Sequence, residues 1–311
     1  LMRLGLMPRP RWGWRHSGVR RIIKLMIPTL FGSSVAQVNL LFDSIIATFL
    51  VTGSVSWLYY SDRLLEFPLG VLGIALATVI LPNLSQKHAK TDTAEFSSTI
   101  DWALRLAVII TIPAAVGLIT LSAPILITLF QYDAFQLDDV RMSSYSLVAY
   151  SAGLPAFIAV KVLAPGYYAR QDTKTPVKIA ITAMVTNMVL NLVFVGLLLF
   201  QGFEGPHAGL ALASSVAAYL NAGLLFRGLR KREVYTPERG WLRVWIAVIL
   251  ACVTMGSLLF FMTNDIERWH QATVFLRVKY LSLSIIFGVI VYVFTSMVMG
   301  LRPHDLSRGA K

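Results

Sequence analysis

The chain has 311 residues, of which 56% are hydrophobic and 14% charged, and it carries a net charge of +12. Soluble domains carry about 25% charged residues, so this composition excludes a globular cytosolic enzyme and a disordered or nucleic-acid-binding tail. A single cysteine, Cys252, excludes an intrachain disulfide framework and a thiolate metal cluster, and the five histidines (His16, His88, His207, His270, His304) show no metal-ligand spacing.

A membrane-spanning helix needs about 20 mainly apolar residues. In chain order, eight segments meet this length: 22–51, 55–82, 98–124, 142–168, 176–200, 207–227, 241–263 and 276–300. The expected fold is therefore an all-α polytopic membrane protein of about eight transmembrane helices. Residues 1–21 are basic but lack a short apolar core with a small-residue cleavage site, so they do not read as a signal peptide. The chain starts at Leu1, and the expectation is that it is the later part of a longer protein.

Positive charge sorts the connections into two alternating sets. One set (1–21, 83–97, 169–178, 227–243 and 301–311) holds 20 Lys/Arg; the intervening loops hold three, Arg141, Arg268 and Arg277, beside several acids. The alternation predicts a basic cytoplasmic side carrying both termini of the chain. It also makes the basic excess a topology signal and an attraction to anionic lipid headgroups rather than a nucleic-acid site. Trp57, Tyr59, Tyr60, Trp241, Trp245 and Trp269 fall near the expected interfaces and read as anchors.

Few charges remain inside the apolar segments. Asp101 and Arg105, spaced i,i+4, read as an ion pair on a helix surface. Asp62, Arg63 and Glu66 are different, because each charge near a bilayer centre costs roughly 2.5–3.5 kcal/mol. They must face a wet cavity or partner helices, with Arg63 suited to a phosphate through its planar fork. The alternative is a self-neutralising buried pair. Gly70, Gly73 and Ala77 below them would allow close helix approach. Asp43, with Gln37 and Asn39 on the same segment, Asn187 and Asn191 at i,i+4, and Ser214 and Ser215 supply oxygens that suit a sodium-type ion; plain interhelical hydrogen bonding accounts for them equally. Lys161 precedes Pro165 and Gly166, which should break the helix near the cytoplasmic face, and Thr175-Pro176 reads as the start of the next. Pro28, Pro113, Pro124 and Pro155 should interrupt other segments, and broken helices around polar residues suit alternating access.

TGSVSWLYYSDRLLEFPLGVLGIALATVILPNLS, LFQYDAF and VKVLAPGYYARQDTKTPVKIA resemble the MurJ/MviN lipid II flippases of the multidrug/oligosaccharidyl-lipid/polysaccharide exporter superfamily, and the resemblance runs over essentially the whole chain. It implies a transporter, not an enzyme, in the bacterial cytoplasmic (inner) membrane. Residues 22–228 would be the second six-helix lobe of a two-lobe flippase, and 229–311 a cytoplasmic loop, two C-terminal helices and a tail. The substrate implied is lipid II, the lipid-linked peptidoglycan precursor, with membrane lipids and cell-wall synthesis enzymes as further partners and no nucleic acid. Arg63, Glu66, Asp62 and Lys161 would bind substrate. Asp43, Asn187, Asn191 and Ser214 would form a cation site, sodium being the only metal expected, although Asn191 stands where the resemblance implies a carboxylate. Coupling to Na+ or H+ is expected, with no other cofactor. A cation-coupled exporter of drugs or polysaccharide lipids is the alternative.

Overall fold

The computed structural model describes residues 16–89 and 92–301, so most of the basic segment 1–21 and the tail from Arg302 lie outside the described residues. Among the described residues there are ten helices and no strand: α1 (Ser17–Thr48), α2 (Ser54–Ala89), α3 (Thr93–Thr120), α4 (Ser122–Phe130), α5 (Leu137–Tyr168), α6 (Lys174–Phe200), α7 (Ala208–Lys231), α8 (Trp241–Thr263), α9 (Ile266–Gln271) and α10 (Val274–Val298). Seven of them, α2, α3, α5, α6, α7, α8 and α10, are long and apolar enough to cross a membrane. The first expected segment forms α1, whose 32 residues reach about 48 Å at 1.5 Å per residue.

The prolines act less uniformly than their number suggests. α3 runs through Pro113, and α5 through both Pro155 and Pro165, ending only at Tyr168. The expected break at Pro165–Gly166 is therefore absent; a membrane helix absorbs one missing backbone donor when neighbouring helices pack around it, and Gly166 sits against Ile100 and Leu229. Pro124 does coincide with a break. It has no N–H to give the carbonyl of Thr120, the helix stops there, and α4 starts at Ser122. Asp172, not Thr175, caps α6: its carboxylate accepts from the Thr175 backbone N–H (3.0 Å) and hydroxyl (2.7 Å).

Cross-contacts define two ends of the bundle. At the end rich in Lys and Arg, Lys87 of α2 meets Thr99 of α3 (2.8 Å), and Arg232 after α7 pairs with Asp172 (2.6 Å). At the opposite end, the Trp57 indole donates to Asp139 at 2.7 Å and stacks on His207, whose ring lies 3.0 Å from the Met142 carbonyl. Trp57 and Trp269 are buried, so neither is the interfacial anchor expected. α5 packs closely against α7. A Cβ on Gly153 would meet the Ser215 backbone at 2.8 Å, and the Ser215 hydroxyl donates to the Ala149 carbonyl at 2.6 Å. One apolar cluster fills the space among α2, α3, α5 and α7, and a second joins α3, α4 and α5 to α8 and α10.

Candidate functional site

α1, α6 and α7 converge on a carboxylate. Asp43 is buried and accepts from the Asn191 amide (2.5 Å), the Ser214 hydroxyl (3.3 Å) and the Asn39 amide (3.4 Å). The Asn191 amide also donates to Asn187 Oδ1 at 3.0 Å, and the Asn187 amide donates to Ser214 at 3.1 Å. The structure thus brings together all four residues of the expected cation set and adds Asn39. Gln37 is exposed, and Ser215 is committed to α5. Both Asp43 oxygens hold hydrogen-bond donors, and the Asn191 N–H group lies between the Asp43 and Asn187 oxygens. The oxygens of Asn39 and Asn191 are buried without a partner. In this arrangement neutral donors occupy both carboxylate oxygens, while two amide oxygens beside them stay unpartnered. Among the described residues, no group of three or more His, Cys, Asp or Glu could hold a metal.

Beside this network lies a cavity of about 520 Å³ whose lining includes Asp43, Asp62, Tyr150, Lys161, Asn187 and Ser214. α2 contributes Asp62 and α5 contributes Lys161. The Lys161 stem crosses Gly73, where a Cβ would stand 2.5 Å from its Cδ, so that glycine makes room for the lysine rather than for a helix. Gly70 meets nothing within 4 Å.

Arg63 and Glu66, expected to share the cavity with Asp62, stand outside it. They pair at 2.5 Å on a different face of α2, each side chain about half exposed (49% and 50%), with the Arg63 guanidinium 4.9 Å over the Tyr59 ring. Tyr59, Phe67, Val71 and Ile74 are exposed on this side of the helix. The helical period explains the split: at 100° per residue, Asp62 aligns with Leu65 and Leu69 towards α5, while Arg63 turns away. A membrane-spanning helix therefore presents an ion pair on a face that no other described helix covers.

Two buried charged groups carry more structure than the sequence reading gave them. Asp101 does pair with Arg105 (2.6 Å), but it is a buried hub and not a surface partner. It also accepts from the Tyr235 hydroxyl (2.7 Å), the Trp241 indole (2.8 Å) and the Glu238 N–H (3.2 Å). The 232–240 loop folds back and, with the first residue of α8, supplies these donors, which spacing along α3 could not reveal. Arg277, counted among loop charges, is buried at the start of α10. It donates to the carbonyls of Ile127, Gln131, Trp269, His270 and Ala272. An arginine placed just before an apolar run was the signal available for it.

The family model described as lipid II flippase MurJ matches residues 1–293. The chain belongs to the lipid II flippase MurJ family. Among relatives, the chain is 48% identical over 308 residues to a probable lipid II flippase MurJ of Haemophilus influenzae, covering 97% of this chain and 59% of that one. It is 48% identical over 309 residues to another from Vibrio cholerae, covering 98% and 57%. A solved structure of a lipid II flippase MurJ in an inward closed conformation superposes with a TM-score of 0.69 at 25% identity, covering 96% of this chain and 57% of that chain. An outward-facing multidrug resistance MATE family transporter shares the fold, with a TM-score of 0.52 at 18% identity over 97% of this chain and 68% of its own. The chain thus spans somewhat under three-fifths of the length of the MurJ relatives it matches. Its apolar helices and MurJ membership make it a multi-pass inner-membrane protein.

Proposed function

We propose that this chain forms one lobe and the C-terminal helix pair of a lipid II flippase, which carries the undecaprenyl-pyrophosphate-linked precursor from the inner to the outer leaflet by alternating access. The observation that supports it is the charged face of α2. An ion pair half exposed within a membrane-spanning helix is too costly against acyl chains, so Arg63 and Glu66 line a hydrated central space closed on its far side by the rest of the protein. A pyrophosphate head cannot cross about 30 Å of hydrocarbon unaided. In that space the Arg63 fork exchanges Glu66 for phosphate oxygens, trading one charge-assisted pair for another, while the lipid tail stays in the bilayer. Asp62 and Lys161 lie behind this face in the intra-lobe cavity and set its field.

No bond is made or broken. The cycle needs substrate or potential to favour one state over the other, the potential being worth roughly 2.3 kcal/mol per charge per 100 mV. The basic end of the bundle lies in the cytoplasm with both termini of the chain, by the positive-inside rule. The test is water access. In a Cys252→Ser background, single cysteines at positions 63 and 66 should react with a membrane-impermeant thiol reagent, and cysteines replacing the lipid-facing Leu192 and Val253 should not. Protection of 63 and 66 in the full-length protein would overturn the reading.

A further inference from the structure

On the side of α5 opposite the Asp43 cavity lies a second hollow, of about 580 Å³, at the acidic end of the bundle. Its apolar lining is formed by Ala123 at the start of α4, Val140 and Val148 of α5, and Ile266 of α9, with Ser122 and Ser144 beside them. At the rim, Arg141 bridges Asp138 (3.1 Å) and Glu204 of the α6–α7 loop (2.5 Å). Tyr145, also in the lining, stacks on Phe203 at 5.0 Å, an aromatic pair of the kind that sits at headgroup level. From Leu137 to Val148 the helix descends about 16 Å, so Asp138 and Arg141 lie nearer the headgroup layer and Val148 beside acyl chains. The hollow faces away from the charged side of α2 and has no part in the function proposed above.

We infer that this hollow binds a phospholipid with a zwitterionic phosphoethanolamine headgroup, its phosphate on Arg141 and its ammonium between Asp138 and Glu204. Charge complementarity selects this occupant. One guanidinium flanked by two carboxylates is a net negative set, which disfavours a purely anionic head. A phosphoethanolamine brings a cation with three N–H donors for the carboxylates as well as a phosphate for the fork. A trimethylammonium head has the charge but no donors. The apolar wall takes the first part of one acyl chain.

The experiment delipidates the purified protein, returns it to bilayers with equimolar phosphatidylethanolamine, phosphatidylglycerol and phosphatidylcholine, and measures retained lipid by native mass spectrometry. Exposed ion pairs are individually weak, so phosphatidylethanolamine should be retained about 3–10-fold over the other two. That preference should vanish in Arg141→Gln and in Asp138→Asn/Glu204→Gln. Val148→Trp, which fills the hollow and keeps the charges, should also remove it, and thermal unfolding of each variant establishes that the fold persists. A photoactivatable phosphatidylethanolamine should label peptides containing Val148 and Ile266. Equal retention of the three lipids, a phosphatidylglycerol preference, a preference surviving the substitutions, or labelling elsewhere would each overturn the inference.

Discussion

Replacing Asp101 separates a surface ion pair from a structural hub. Its carboxylate is 1% exposed and takes four donors, among them the Tyr235 hydroxyl and the Trp241 indole. Asp101→Ala removes this acceptor from both, at about 1–3 kcal/mol each for a group losing its partner. Arg105 loses less, because it keeps the Arg239 carbonyl at 2.9 Å and its place 5.4 Å over the Trp241 ring. The total is about 3–5 kcal/mol. Asp101→Asn keeps an acceptor for Tyr235 and Trp241 and gives up the charge towards Arg105, costing about 1–2 kcal/mol. Thermal denaturation in detergent should therefore order wild type above Asn above Ala, with the Ala variant about 5–15 °C below wild type. Tryptophan fluorescence should report release of Trp241 in the Ala variant alone. If Ala and Asn variants melt within about 1 °C of wild type, the pair is only superficial and the hub argument fails.

At the other end, Arg277→Met removes the donors of five carbonyls and should cost about 2–4 kcal/mol. Arg277→Lys should recover less than half of this in the same melt, since one ammonium cannot serve both α4 and α9. Because donors fill both Asp43 oxygens, replacing sodium by choline should leave the wild-type melting temperature unchanged. In Asn191→Asp, sodium should raise it through a stabilisation of about 1.4 kcal/mol at ten times the dissociation constant; a sodium response in wild type would overturn this expectation. His207 lies just before α7, and burial holds its imidazole below the ordinary histidine value, opposed by its bond to the Met142 carbonyl. Its contribution is complete above the unfolded pKa of about 6.5 and declines as pH falls from there towards the lowered folded value. A pH series of melts should show this loss, and His207→Gln should remove that part of the slope.

Hydropathy and charge alternation made the membrane helices and the two ends of the bundle legible, because insertion into lipid is decided locally by residue type. The partners of Asp43 were legible as a set of residue types but not as a site, since Asn191 is 148 positions away and only packing of α1 on α6 joins them. The division of Asp62 from Arg63 follows from helical period once the direction of α5 is known, and a sequence does not state that direction. Asp101 and Arg277 were underestimated because their partners are a folded-back loop and backbone carbonyls, groups that residue spacing does not report. Pro165 failed to break α5 because tertiary packing around Gly166 outweighed local preference.

In the proposed flippase, the α2 arginine meets the diphosphate head of the precursor. This contact is tested most directly by measuring precursor exposed at the outer leaflet in cells that depend on the full-length protein carrying Arg63→Ala, expressed at wild-type level. Precursor should accumulate on the inner leaflet, and Arg63→Lys should restore exposure only in part. Outer-leaflet precursor at wild-type amounts in the Ala variant would contradict this role for Arg63.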